Sequence, residues 1–224
     1  MEQRGIRDQV PLWIAQMRQT ASKRPGTGAC AVATGLELWA WTFNRLHRED
    51  EAAAASADAA AGALAEALGW LMAARALVLD VSGPDNEGAP DAALRRDACH
   101  GHVARTCGEV SRICAELVFG FLRHPGWQTD AQHCYHASDL DMIEEYVPGL
   151  AASARAYSDV IEADGSHPAK AGPCVRFDGL EEFVQLRTRL DGCLAGGAAA
   201  RRRAADALKE GSGLRAQGPR PDRG

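Results

Sequence analysis

The sequence predicts an all-α fold, an antiparallel helical bundle with short accessory helices. Three observations carry that prediction. Between Asp91 and Trp127, the residues Cys99, Val103, Cys107, Val110, Cys114, Leu117 and Phe121 fall on one stripe of a helix that turns about 100° per residue. Between Ala53 and Val81, the residues Leu64, Leu68, Leu71 and Val78 stand in an alanine-rich run far longer than a strand. No segment shows the alternating β-branched pattern of strands.

Taken in order, the first element spans roughly Val10 to Lys23, with Pro11 near its start, where a missing amide is harmless, and Leu12, Ile14 and Met17 as its apolar side. Lys23-Arg24-Pro25-Gly26-Thr27-Gly28 interrupts the chain, and Thr27 is placed to cap a second helix running through Cys30, Val32, Leu36, Trp39, Phe43 and Leu46. Charges from His47 to Glu51 end it. The third helix, Ala53 to Val81, carries few charges on any side, which suits the middle of a bundle, and Ser82-Gly83-Pro84 stops it. The long helix from Asp91 to Trp127 follows. Its outer side carries Arg105, Glu109, Arg112, Glu116 and Arg123, with Arg105/Glu109 and Arg112/Glu116 spaced for i,i+4 pairing.

Beyond Trp127, Ser138 with Asp141 marks a short helix ending before Pro148-Gly149, and another helix is expected from Leu150 to Ala163. The Gly- and Pro-containing stretch Asp164 to Phe177 reads as a loop. Asp178 with Glu181 signals a helix through Leu180, Phe183, Val184, Leu186 and Leu190, which Gly196-Gly197 breaks before a last basic piece. The expected organisation is therefore a short helix over 1–23, the core of the bundle over 24–127, completing helices and loops over 128–210, and a disordered tail over 211–224.

Composition narrows the function. The 224 residues are 46% hydrophobic, enough for a sizeable core, while aromatics are only 6%, so small side chains set close helix approach. A formal charge of -5 gives no general attraction to nucleic acid or to an anionic membrane, and Arg201-Arg202-Arg203 is the one basic cluster. The start lacks a signal-peptide pattern, and Asp58, Glu66, Arg75 and Asp80 interrupt the most apolar region, so a cytoplasmic protein without a membrane span is expected. Seven cysteines, an odd number without secretory context, are expected as free thiols.

Arg24-Pro25 followed by GTGACAVATGLEL, then LAEALGWLMAARALVLD, then ARTCGEVSRICAELVFG, resembles the consecutive helices of the C-terminal bundle of flavin-dependent acyl-CoA dehydrogenases, over about Ser22 to Trp127. The resemblance implies a homo-oligomer that binds FAD and oxidises an acyl-CoA thioester, with a glutamate as base. Arg24 matches the arginine opening the first bundle helix. Lys23 stands where isovaleryl-type members carry the base, so Glu144 and Glu145 become the candidates. Phe119 and Gly120 match part of the segment that touches flavin. The family's N-terminal and β domains have no counterpart here, and the expectation is a subunit or a divergent member, incomplete alone.

Other chemistries compete. Cys99, His100, His102, Cys107 and Cys114, with His124, His133, Cys134 and His136, form a possible metal-ligand set, and Cys99/His102 has helical ligand spacing. There is no Cys-x2-Cys pair, and buried cysteine packs as a small hydrophobe, so the expectation is core and no metal. A cysteine nucleophile is disfavoured for the same reason. Lys23 to Gly28 has the glycines of a phosphate-binding loop without the full pattern, and reads as a helix start. Trp39 and Trp41 cannot share a face, so one belongs to the core and the other to an oligomer contact. The alternative to the dehydrogenase reading is a non-catalytic interaction or oligomerisation bundle using uncovered apolar faces.

Overall fold

The computed structural model describes residues 5–49, 54–86, 88–119 and 179–216. Among the described residues the chain is an all-α helical bundle without strands. Its helices are α1 (Ile6–Lys23), α2 (Ala29–Glu49), α3 (Ala54–Val81), α4 (Ala92–Phe119), α5 (Leu180–Leu194) and α6 (Gly197–Ala216), with a 3-10 turn at Pro84–Asn86. Two compact units divide the chain across these helices: Met1–Leu36, Trp70–Gly108 and Arg189–Gly224 form one, Glu37–Gly69 and Glu109–Thr188 the other.

In the first unit, Val10 and Met17 of α1, Val32 and Leu36 of α2, Leu71 and Val78 of α3, and Val103 and Cys107 of α4 make the core with Leu190 and Ala200. Glycine sets the approach of these helices. A Cβ on Gly35 would stand 2.9 Å from Leu71 Cδ2 and 3.5 Å from Cys107 Sγ, and one on Gly28 would stand 2.9 Å from Val103 Cβ. The pairs Gly28/Val103 and Gly35/Cys107 ascend together, so α2 and α4 run parallel here. Asp97/Arg203 and Ala104/Gly197 run in opposite order, so α6 lies antiparallel on α4. Arg75 of α3 donates to Gln16 of α1 and lies 5.7 Å from the centre of the Trp13 ring.

In the second unit, Leu38, Trp39, Leu46, Leu64, Leu68, Val110, Cys114, Leu117 and Phe183 are buried. Trp39 Nε1 donates to Leu64 O at 2.8 Å, which satisfies the indole where it is shielded from water, and its ring stacks on Phe43 at 5.2 Å. Trp41 lies 5.9 Å from Phe183 and Gly179 lies beside Arg45, so α5 runs antiparallel to α2. Trp39 is the core tryptophan of the expected pair, and Trp41 is half-buried beside α5 of its own chain.

Several expectations require correction. Helix α1 begins at Ile6 rather than Val10, leaving Pro11 inside it. The N-cap of α2 is not Thr27: Val32 N–H donates to Gly28 O, and Thr27 Oγ1 donates to Arg24 O at 3.0 Å, turning the hydroxyl away from the new helix. Arg112 pairs with Glu109 at 2.7 Å, one turn back, where an Arg112/Glu116 bond was expected. Cys30 and Cys193 form a disulfide with Cα atoms 5.6 Å apart, against the expectation of free thiols; Cys99, Cys107 and Cys114 are free and buried as expected. Helix α6 runs past Gly211, where a tail was expected, to Ala216. Residues 120–178, with the accessory helices predicted there, lie outside the described residues.

The largest departure is α3. From Ala60 onward its buried residues, Leu64, Ala67, Leu68, Leu71, Ala74 and Val78, form one stripe, and the opposite side is open, with Trp70 at 37% and Leu77 at 36% exposure. A helix in the middle of a bundle would be covered all round. Among the described residues Ala60–Val81 is the one stretch long and apolar enough to cross a membrane by length and composition, with mean hydropathy 1.5.

Candidate functional site

The corner between α1 and α2 holds the first predicted site residue. Pro25 denies Arg24 the helical conformation, and Arg24 takes φ -134° and ψ 71° while its N–H donates to Thr20 O at 2.7 Å. Gly26 and Gly28 turn the chain with φ of +81° and +88°, values that favour glycine. Cys99 Sγ donates to Thr27 O at 3.3 Å, fastening the corner to α4. The glycine loop that resembles a phosphate cradle is therefore a helix start packed on α4, with Thr27 buried and its hydroxyl committed inward.

Arg24 is half-buried at this corner. Phe119 is the last residue of α4, and its side chain lies outside the described residues, as do Gly120, Glu144 and Glu145. Of the predicted flavin-site residues, Arg24 alone has a described side chain.

The thiol line of α4 is the next candidate. Cys99, Cys107 and Cys114 are each 1% exposed or less. Burial pushes all three thiols up to about 12; the negative charge of Asp80 adds to this for Cys99, and a hydrogen bond with Thr42 partly offsets it for Cys114. A thiol so held is protonated at neutral pH and is neither a nucleophile nor a ready metal ligand. Cys99 and His102 diverge, the first buried on Thr27 O and the second exposed with Nε2 3.5 Å from Thr106 Oγ1. Among the described residues no group of three or more His, Cys, Asp and Glu is gathered to hold a metal ion. His133, Cys134 and His136 lie outside them.

Two features were not anticipated in the sequence. One is the open side of α3 in the first unit: Trp70 and Leu77 line one flank, Ala76 lies on the other, and Ala73 lies between. Its signal was the alanine content itself, since small residues on every side leave a helix with no reason to be covered all round. The other is the Cys30–Cys193 bond, whose partners are separated by 163 residues and share no sequence signal. No family model, curated protein or solved structure matches the chain.

Proposed function

We propose that the chain is a non-catalytic helical interaction domain that associates with a second copy of itself through the open side of α3. The observation that supports this reading is that the most apolar helix buries a single stripe and leaves Trp70, Ala73, Ala76 and Leu77 uncovered. In a two-fold pair of parallel helices, the right flank of one faces the left flank of the other. Leu77 then meets Ala76, and Trp70 meets the small residue Ala73, so this one surface complements itself as an isologous contact must. Arg75 is tied back to Gln16 and Trp13, so the charges on this side of α3 are the exposed carboxylates Glu66 and Asp80, one at either end of the apolar patch. Burying what Trp70 and Leu77 leave exposed contributes about 2 kcal/mol each on either copy before association costs, which points to a weak, reversible dimer.

Sedimentation velocity of the full chain over a concentration series tests this. A monomer–dimer equilibrium that Leu77→Glu abolishes, with unchanged helical circular dichroism, supports it. A wild-type monomer at every concentration, or binding to lipid vesicles in place of self-association, overturns it.

A second reading rests on the resemblance to acyl-CoA dehydrogenases. It is supported by α2, α3 and α4, helices of 21, 28 and 28 residues in the order the resemblance implies. In that reading the chain is a cytoplasmic, FAD-dependent oxidoreductase domain acting on an acyl-CoA, with Arg24, Phe119 and Gly120 near flavin and Glu144 or Glu145 as base. Flavin absorbance retained on the protein after gel filtration with FAD supports it, and free FAD separating completely removes it.

A further inference from the structure

We propose that Cys30 and Cys193 form a thiol–disulfide exchange site that takes a dithiol reductant and whose reduction releases the α5–α6 corner from α2. The inference is independent of association through α3. Three observations carry it.

The first is accessibility. Cys30, the second residue of α2, is exposed, and Cys193, the last residue but one of α5, is half-buried. The three free thiols on α4 are buried and protonated, so they do not compete for the bond. The second is that each sulfur has a stabilising environment once the bond opens. Thr34 Oγ1 lies 3.8 Å from Cys193 Sγ and can donate to its thiolate. Cys30 sits in the first turn of α2, where amides without helical partners favour negative charge. The third is what the bond holds. The link Ala195-Gly196, with Gly196 at φ +88°, leads directly from Cys193 into α6. α6 meets α4 through small residues, Gly197 on Ala104 and Arg201 over Gly101, with Ala200 and Ala204 buried and an exposed Arg203–Asp97 pair. Small side chains and an exposed ion pair make up this contact, so the covalent tie at Cys193 adds to how firmly α6 is seated.

The exchange balances. A thiolate of the dithiol attacks Cys30 Sγ; the Cys30–Cys193 bond breaks, and Cys193 leaves as a thiolate facing Thr34. The second thiolate of the reductant attacks its own sulfur in the mixed disulfide and expels Cys30. The reductant becomes a disulfide, and the protein gains two electrons and two protons.

The test uses the full chain with dithiothreitol as the probe. Peptide mapping of air-oxidised protein is expected to find Cys30 joined to Cys193. Brief native treatment with dithiothreitol and an alkylating agent should label those two and leave Cys99, Cys107 and Cys114 unlabelled. Amide hydrogen exchange across Gly197–Lys209 should then rise roughly tenfold while that of Val103–Cys107 is unchanged. Cys30→Ser should show the fast exchange without reductant and no response to it. Thr34→Val should slow reduction several-fold without altering exchange in the oxidised protein. Cys30 joined to Cys134 or Cys174, both cysteines labelling without reductant, or exchange unmoved by reduction would overturn the proposal.

Discussion

Helices α3 and α4 have the same length, 28 residues, and opposite relations to water. α4 carries Arg95, Arg96, Asp97, Arg105, Glu109, Arg112 and Glu116 and buries an unbroken stripe from Cys99 to Leu117. α3 is far more apolar, yet beyond Ala60 it buries one stripe and exposes Trp70, Ala73, Ala76 and Leu77 beside only two carboxylates, Glu66 and Asp80. Charge decides the difference. In α4 every orientation except one would bury a charge, so the sequence determines which side faces in. In α3 the alanines and glycines carry little burial energy in any direction, and the leucines and Val78 choose the inner side with only Glu66 and Asp80 to hold the other side outward.

The sharpest way to break this comparison is to place the same carboxylate on both helices. Val110→Asp buries an unpaired charge at a site with 0% exposure and is expected to cost more than about 4 kcal/mol, leaving the chain unfolded at 37 °C. Ala73→Asp, on the open side of α3, should change stability by less than about 0.5 kcal/mol while weakening self-association. Thermal melts followed by circular dichroism measure both. Equal destabilisation would mean that the open side of α3 is covered within the monomer.

The stripe of α4 was legible because its period and its charges agree, and every member from Cys99 to Leu117 is buried. The breaks at Pro25 and Gly83 and between Leu194 and Gly197 were legible for a local reason: proline and glycine act on their own backbone. The cap of α2 was not, because Thr27 has a capping side chain but Gly28, packed on Val103, is the residue that turns into the helix. The open side of α3 and the Cys30–Cys193 bond were hidden because both depend on what lies far away in sequence. Of the candidate site, only Arg24 has a described side chain, and its place at the α1–α2 corner follows from Pro25.

The buried thiols of α4 predict how the fold fails in alkali. Their folded-state values lie near 12, above the ordinary 9.0. The unfolded chain therefore releases these protons first as pH rises. The stabilising contribution is complete below about pH 9 and is lost between 9 and 12, at up to about 1.4 kcal/mol per pH unit for each thiol. Urea midpoints measured from pH 8 to 11 should fall, and Cys107→Ala should flatten the slope. Nothing comparable is expected from α3, whose buried stripe is purely aliphatic.

A smaller effect tests the close approach that seats α4 on α2. Gly28→Ala adds a methyl 2.9 Å from Val103 Cβ at a backbone φ of +88°, and is expected to cost about 2 kcal/mol. Gly69→Ala, on α3 with nothing within 4 Å of an added Cβ, should instead stabilise by about 0.5–1 kcal/mol, since alanine is the better helix former. Calorimetric melts that shift in opposite directions would uphold the contrast between a covered and an open helix side.

The smallest effect concerns the outer line of α4. Arg112 donates from Nε and a terminal nitrogen to Glu109 Oε1 at 3.1 and 2.7 Å, while Glu116 lies close enough only to add to the field at the guanidinium. Both side chains of the pair are largely solvated, at 54% and 42% exposure, so screening leaves about 0.3–0.5 kcal/mol. Glu109→Gln should therefore lower stability by that amount at low salt and by less at high salt, and Glu116→Gln by less than Glu109→Gln. The reverse order would show that Arg112 holds the i,i+4 partner that helical spacing first suggests, and that local geometry on this solvated face is set by the helix alone.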